Sequence, residues 1–458
     1  MVPCQRGVAF RSLSLSVALL LKPEHIELRY FRDAVQSIES PHRDKKGASK
    51  VASEVLKKGG EVTSEVLGET HGFDFEGMRF GVKAWRVSAP DAREGGALSA
   101  SIVLVHGFAQ QASTWDKVAL SLSCAGVECF AFELAGHGKS ARPTVGDVPG
   151  REAFDLDFQA QALLAFCEAV AHVTGRLPVL VGYSMGGRVA LQAACLAADD
   201  LRDGGELNRI SLRSSAAFAP CDRARCLDVA GACQRDVTAN AARMSAAVPF
   251  SALVLESAGL GPVDNAAREA LRERNFAWAA RVRGEGVSAF MSWWAGLPLF
   301  ESQRNLDDDQ RERLRAGRLA NDTESLALSF ERAGAHAMPS QGESIRTLCE
   351  LSRRGVPVSY LAGRLDAKYC KVLADLRADS HDAVSCRAVP CAGHNIHLEQ
   401  PEMLASILKE VVESCTPEPA APWHTSSRYD RETCETGIIR SENAESNIVN
   451  RRHGVVFP

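Results

Sequence analysis

A serine set between glycines, Gly182-Tyr183-Ser184-Met185-Gly186, follows the apolar run Pro178–Ser184 and precedes the helical stretch Gly187–Ala197. A hydroxyl carried on a sharp strand-to-helix turn is presented for nucleophilic or proton-transfer chemistry, and the glycines permit the turn because they carry no Cβ. A serine hydroxyl needs a base, and the base needs an orienting acid. Downstream, in that order, stand Asp366 in LAGRLDAKY, just past another apolar run, and His394 in CAGHNIHLEQP. His397 is the competing base. The Ala392-Gly393 before His394 and the Glu399-Gln400-Pro401 after it read as a tight loop leading into a last helix, which favours His394. Near the start, His106-Gly107-Phe108 closes a strand, and the Phe108 N–H together with that of Met185 is placed to form an oxyanion hole.

These residues need a scaffold, and the pattern between residues 73 and 414 supplies one. Val/Leu/Ala-rich runs at Ser101–Gly107, Val127–Leu134, Pro178–Ser184, Phe250–Ser257 and Val356–Gly363 read as buried strands. They alternate with helical stretches such as Asp155–Val173, the signature of an α/β fold with a largely parallel sheet. From Pro262 to Leu351, arginines, alanines and aromatics recur at helical spacing with no strand candidate, which predicts a helical cap inserted into the sheet domain. About fifty residues, near 199–247, are inserted after the elbow helix. Residues 1–72 are expected to be an N-terminal extension, and 415–458, rich in Pro, Ser, Asn and Arg, a disordered tail.

Composition narrows the partners. Over 458 residues, Lys+Arg 53 against Asp+Glu 57 leaves a net charge of -4, too little positive field to hold a nucleic acid. The 14 cysteines contain no CxxC pair, and Cys195, Cys221, Cys226 and Cys233 have no histidine beside them, so no metal site is expected. The apolar stretch Val8–Leu21 is interrupted by Arg11, is too short to span a bilayer and lacks a small-residue cleavage site. The expectation is a cytoplasmic enzyme with reduced thiols, no membrane insertion, no cofactor and a small-molecule substrate; the oligomeric state stays open.

Together the nucleophile turn, acid and base mark an α/β-hydrolase. The flanks are more specific: GYSMGGRVAL (Gly182–Leu191), VLESAGLG (Val254–Gly261), AFMSWWAGLPLF (Ala289–Phe300), LRAGRLAND (Leu314–Asp322) and AGHNIHLEQP (Ala392–Pro401). In these segments the chain resembles the 2-succinyl-6-hydroxy-2,4-cyclohexadiene-1-carboxylate synthases of menaquinone biosynthesis. The resemblance implies a lyase that eliminates pyruvate from 2-succinyl-5-enolpyruvyl-6-hydroxy-3-cyclohexene-1-carboxylate, with the Ser-His-Asp set moving protons. A substrate with three carboxylates calls for cations that grip planar anions, which is what arginine does. Arg188, one turn after Ser184, projects to the same side of the elbow helix. The resemblance further implies Arg318 and Tyr183 as substrate-binding residues and Trp294 as an aromatic wall. The remaining cap arginine is open among Arg268, Arg272 and Arg274. Two departures stand out: Met338 precedes Pro339-Ser340 where relatives have Gln, and Glu133 replaces the usual Asp before Gly136-His137-Gly138. A carboxylesterase or carbon–carbon-bond hydrolase is the alternative, since it would share the triad without needing the arginines.

Overall fold

The structure is a computed structural model that describes residues 66–87, 100–142, 148–202 and 248–415. Eight strands form one sheet: β1 (Val66–Phe75), β2 (Met78–Val87), β3 (Ala100–Val105), β4 (Val127–Phe132), β5 (Val179–Tyr183), β6 (Ala252–Glu256), β7 (Val358–Gly363) and β8 (Ser385–Val389). Their order is β1-β2-β4-β3-β5-β6-β7-β8. Strands β3 to β8 run parallel, whereas β1 and β2 form an antiparallel hairpin attached to β4. The five expected buried strands are present as β3 to β7.

The hairpin shifts one expected boundary. Residues 66–72 belong to β1 rather than to the N-terminal extension, because Val66 to Phe75 pair residue for residue with Val87 to Met78. Glu76 and Gly77 turn the corner at positive φ, 48° and 76°, the backbone of a two-residue hairpin loop. Phe73, Phe75, Phe80 and Val82 then bury one face of the ribbon.

Successive strand residues point to opposite faces, and the two faces have separate cores. Val103, Val105, Phe130, Phe132, Leu180, Leu253 and Leu255 pack beneath helices α2 (Leu156–Thr174) and α3 (Met185–Arg202). Ile102, Leu104, Ala131, Val181 and Val254 pack on the other side, where α1 (Asp116–Cys124) and the last helix lie.

The cap follows β6. Helix α4 (Asn265–Ala295) breaks at Gly286, whose φ of 77° and ψ of 166° are not helical, and α5 (Asp308–Leu319) and α6 (Thr323–Arg332) complete it. Its own core, which includes Ala279, Val282, Phe290, Leu326 and Phe330, also takes in Ala109 from the sheet domain. The expected cap boundary at residue 351 moves back. Helix α7 (Gln341–Arg353), opened by a Ser340/Glu343 capping box, puts Ile345, Leu348 and Leu351 into the core shared with α3 and the sheet. Helices α8 (Ala367–Asp379) and α9 (Pro401–Cys415) close the fold. Helix α3 runs to Arg202, so residues 199–202 of the insert expected near 199–247 are helical; residues 203–247, 1–65 and 416–458 lie outside the described residues.

Candidate active site

Ser184 sits at the β5–α3 junction with φ 50°, a left-handed conformation held against its steric cost by two backbone bonds. Its N–H donates to the Glu256 carbonyl at the end of β6, 2.9 Å, and its carbonyl accepts from Arg188 N–H, 3.1 Å. The turn closes only because its neighbours lack side chains. A Cβ at Gly186 would strike the Val105 and His106 carbonyls, and one at Gly182 would lie 2.6 Å from the Gly186 carbonyl.

His394 Nε2 lies 3.1 Å from Ser184 Oγ, and its Nδ1 lies 2.8 Å from Asp366 Oδ2. Asp366 caps α8: its Oδ1 accepts the Tyr369 N–H, 3.1 Å. One carboxylate therefore anchors a helix with one oxygen and orients the imidazole with the other. Nδ1 donates to Asp366, which leaves the Nε2 lone pair for the serine proton. Burial holds the His394 imidazole below the ordinary histidine range, and the Asp366 hydrogen bond and charge oppose that shift. Three rings surround the imidazole: Tyr369 at 4.8 Å, Tyr183 at 5.3 Å and Phe300 at 5.7 Å between centroids.

The loop after β3 is fixed by two buried histidines. His106 donates from Nδ1 to the Gly107 carbonyl and accepts the Leu134 N–H at Nε2, 3.1 Å. His137 donates to the Ala135 carbonyl and accepts the Ala109 N–H, 3.2 Å. Burial pushes their pKa values down to about 3 and about 4, so both are neutral and each serves as donor and acceptor at once. Ala109 takes φ 57°, and Gln110 Oε1 accepts the Gly107 N–H. Glu133, longer than the aspartate expected there, reaches two loops: it accepts the Ala112 N–H at 2.9 Å and the Lys139 N–H at 2.6 Å. Among the described residues, the N–H groups of Phe108 and Met185 donate to no protein acceptor.

Many of the described arginines pair with acids, for example Arg283 with Glu324 and Arg332 with Asp155. Arg188 and Arg318 do not pair with a carboxylate among the described residues. Arg318 is buried, at 7% exposure; it donates to Gln303 Oε1 at 3.0 Å, lies over the Phe300 ring at 5.3 Å, and its Nε has no partner. Burial lowers the Arg188 guanidinium to about 10, which leaves it charged at neutral pH; Tyr369 opposes this and the like charge of Arg274 adds to it. Trp294 touches Phe108, Phe300 and Phe330, with centroids 5.0 to 5.7 Å away, and so forms part of an aromatic roof reaching to Phe300 over His394.

The structure does not bring Arg268 and Arg272 into this group. Arg268 spends its NH1 on the His336 and Met338 carbonyls, 2.6 and 2.7 Å, and pins the cap to its own exit. Arg272 is exposed beside Glu269 and Phe276. Arg274 is the cap arginine whose charge reaches Arg188. Met338 is buried in the core, so the position where the resemblance implies Gln is apolar here. His397 is no base in this geometry: its Nδ1 and backbone N–H both point at Glu256 Oε1, and its Nε2 is 3.0 Å from Thr114 Oγ1. Tyr369 escaped the sequence reading. Its signal was the spacing to Asp366, three residues into a helix, which stacks it over the cap residue.

Residues 102–407 match the model of the alpha/beta hydrolase family. The chain belongs to the alpha/beta hydrolase family. Within this family it is 26% identical over 328 residues to a putative 2-succinyl-6-hydroxy-2,4-cyclohexadiene-1-carboxylate synthase of Bacillus subtilis (strain 168), covering 70% of this chain and 94% of the relative. It is 28% identical over 312 residues to the 2-succinyl-6-hydroxy-2,4-cyclohexadiene-1-carboxylate synthase of Escherichia coli O81 (strain ED1a), covering 68% and 93%. Among solved structures, MenH from S. aureus superposes with a TM-score of 0.52 at 21% identity, over 73% of this chain and 98% of that one, a likeness of fold. In this hydrolase-fold chain no helix among the described residues is long and apolar enough to cross a membrane.

Proposed function

We propose that this alpha/beta hydrolase is a carbon–oxygen lyase, a 2-succinyl-6-hydroxy-2,4-cyclohexadiene-1-carboxylate synthase, that eliminates pyruvate from its tricarboxylate substrate. The observation that carries the reading is a pair of cations without counter-ions, Arg188 and Arg318, set around a hydrogen-bonded Ser184–His394–Asp366 chain. Arg318 is buried and Arg188 half-buried; holding a charge there without a partner is costly, and an ester pocket has no use for it. A substrate carboxylate would complete each cation with paired, charge-assisted hydrogen bonds. The names carried by the relatives point the same way.

In the proposed reaction His394, oriented by Asp366, takes the Ser184 hydroxyl proton. The Ser184 oxygen then removes the proton α to the succinyl carbonyl, and the electron pair left behind moves onto the carbonyl oxygen. The Phe108 and Met185 N–H groups stabilise that oxyanion. As the enolate collapses, the ring carbon–oxygen bond breaks and the departing enolpyruvate takes up a proton and becomes pyruvate. Ser184 acts as a proton carrier and no acyl-enzyme forms. Tyr183, Arg188, Trp294 and Arg318 hold the substrate so that the acidic C–H faces Ser184. The test is incubation with the enolpyruvyl tricarboxylate while pyruvate is followed by a coupled assay, beside a panel of p-nitrophenyl esters. Rapid pyruvate release with slow ester cleavage supports the lyase; ester cleavage without pyruvate release would make the chain a carboxylesterase.

A further inference from the structure

Tyr369 has a place at the site that neither the triad nor the arginine pair explains. Its backbone N–H donates to Asp366 Oδ1 at 3.1 Å, so the residue is fixed to the acid that orients the base. Its ring lies against the His394 imidazole, 4.8 Å between centroids and tilted by 38°, on α8 while Tyr183 approaches the same imidazole from β5. The side chain is 9% exposed, yet its hydroxyl donates to no protein acceptor among the described residues and is not sealed from solvent. A phenol oriented by packing, with its polar tip unpaired, is the form of a ligand contact.

Two guanidiniums act on that tip, beside the Tyr183 and Tyr360 phenols. Arg188 and Arg274 are both coupled electrostatically to the Tyr369 hydroxyl. Neither has a carboxylate partner among the described residues: Arg274 lies over the Trp278 ring at 4.5 Å and makes one long contact to its neighbour Asn275, 3.4 Å. Lys368 Nζ stands over the Tyr369 ring itself, 4.9 Å from the centroid. Tyr183 also stands against His394, 5.3 Å between centroids, and its hydroxyl interacts electrostatically with the Arg318 guanidinium.

We propose that Tyr369 is a substrate-binding residue whose hydroxyl donates a hydrogen bond to the carboxylate held by Arg188 and Arg274, so that one substrate anion is gripped on the α8 flank of His394 and another at Arg318. This deepens the lyase reading and rests on it for the identity of the anion. The ring keeps its contact with His394 whether or not the hydroxyl is present, so removing the hydroxyl separates binding from support of the base.

The test is Tyr369→Phe, which keeps the ring, compared with wild type on the enolpyruvyl tricarboxylate and, in a separate titration calorimetry experiment, on citrate as a tricarboxylate that does not react. The expected result is a KM raised about tenfold or more, kcat within about threefold, and citrate binding weakened in parallel, as for loss of a hydrogen bond to a charged group. An unchanged KM and unchanged citrate affinity would overturn the proposal. So would a fall in kcat at constant KM, which places the hydroxyl at the reacting centre instead. If wild type releases no pyruvate, the lyase reading fails, and the citrate titration alone decides Tyr369: weaker binding by the variant supports it, while equal binding, or none by wild type, ends it. Tyr369→Leu serves as the contrast, with kcat lowered and the acid limb of the pH profile displaced because the imidazole loses its packing.

Discussion

Glu256 and His397 meet 2.9 Å apart with neither side chain exposed to solvent. The same carboxylate oxygen accepts the His397 backbone N–H at 3.1 Å, while the Glu256 carbonyl accepts the N–H of Ser184. One residue at the end of β6 thus fastens both the nucleophile turn and the loop that carries the base. Replacing Glu256 by Ala strands two buried donors, and the expected cost is about 2–5 kcal/mol. Glu256→Gln retains an acceptor and should lose much less. Urea unfolding midpoints of the two variants check this; equal stability would show that the pair contributes nothing.

Ser184→Ala, His394→Ala and Asp366→Asn should each lower kcat by about a thousandfold or more while leaving the melting temperature near that of wild type. Because the three act through one proton path, a double variant should be scarcely worse than the worse single one. His397→Ala, by contrast, should show its defect in stability first. Steady-state kinetics beside thermal melts distinguish the two patterns.

Arg188→Ala should lower kcat/KM for the tricarboxylate by about ten- to a hundredfold, the loss of a charge-assisted contact. Arg188→Lys should recover part of this, since a point charge attracts the anion without the two parallel hydrogen bonds. Turnover of a neutral ester, where detectable, should hardly change. Similar losses on both substrates would mean that Arg188 supports the turn rather than the ligand.

His394 must be neutral to accept the serine proton, and burial keeps its pKa below 6.5. The acid limb of the rate should therefore lie at lower pH than that of an ordinary histidine. A kcat/KM profile between pH 4.5 and 8 reads this directly. An acid limb centred above 6.5 would contradict the buried setting of the imidazole.

His106 and His137 have folded pKa values of about 3 and about 4, below the unfolded value of 6.5. Between those limits the unfolded chain binds more protons than the folded one. Their contribution to stability is complete above pH 6.5 and is lost as pH falls toward 4, by up to about 1.4 kcal/mol per pH unit for each histidine. His137→Gln keeps an acceptor for the Ala109 N–H without the titrating ring. It should therefore flatten the dependence of unfolding free energy on pH, as measured in urea at pH 7 and pH 5.

The sequence by itself determined what is encoded locally. The central strands β3 to β7 are continuous apolar runs, the nucleophile turn is a five-residue pattern in the right setting, and the acid and base follow the serine in the order of the α/β-hydrolase fold. Arg188 was legible because it lies one turn from Ser184 on the same helix. What lay beyond reach depended on how separate elements meet. Arg268, Arg272 and Arg274 fall on one arginine-rich helix, and nothing in their spacing says which face the cap turns downward. That face is set by the packing of Val282, Phe290, Leu326 and Phe330 on Ala109 and its neighbours; it lays Arg274 over Trp278 and leaves Arg272 exposed beside Glu269. The edge strand β8, with alternate residues exposed, is too short and polar to signal itself, and the β1–β2 ribbon hides behind a charged flank. His394 and His397 share one short motif, and only the tertiary structure parts them, giving one to Asp366, just past β7, and the other to Glu256, at the end of β6, because spacing along the chain does not say which carboxylate each ring will meet.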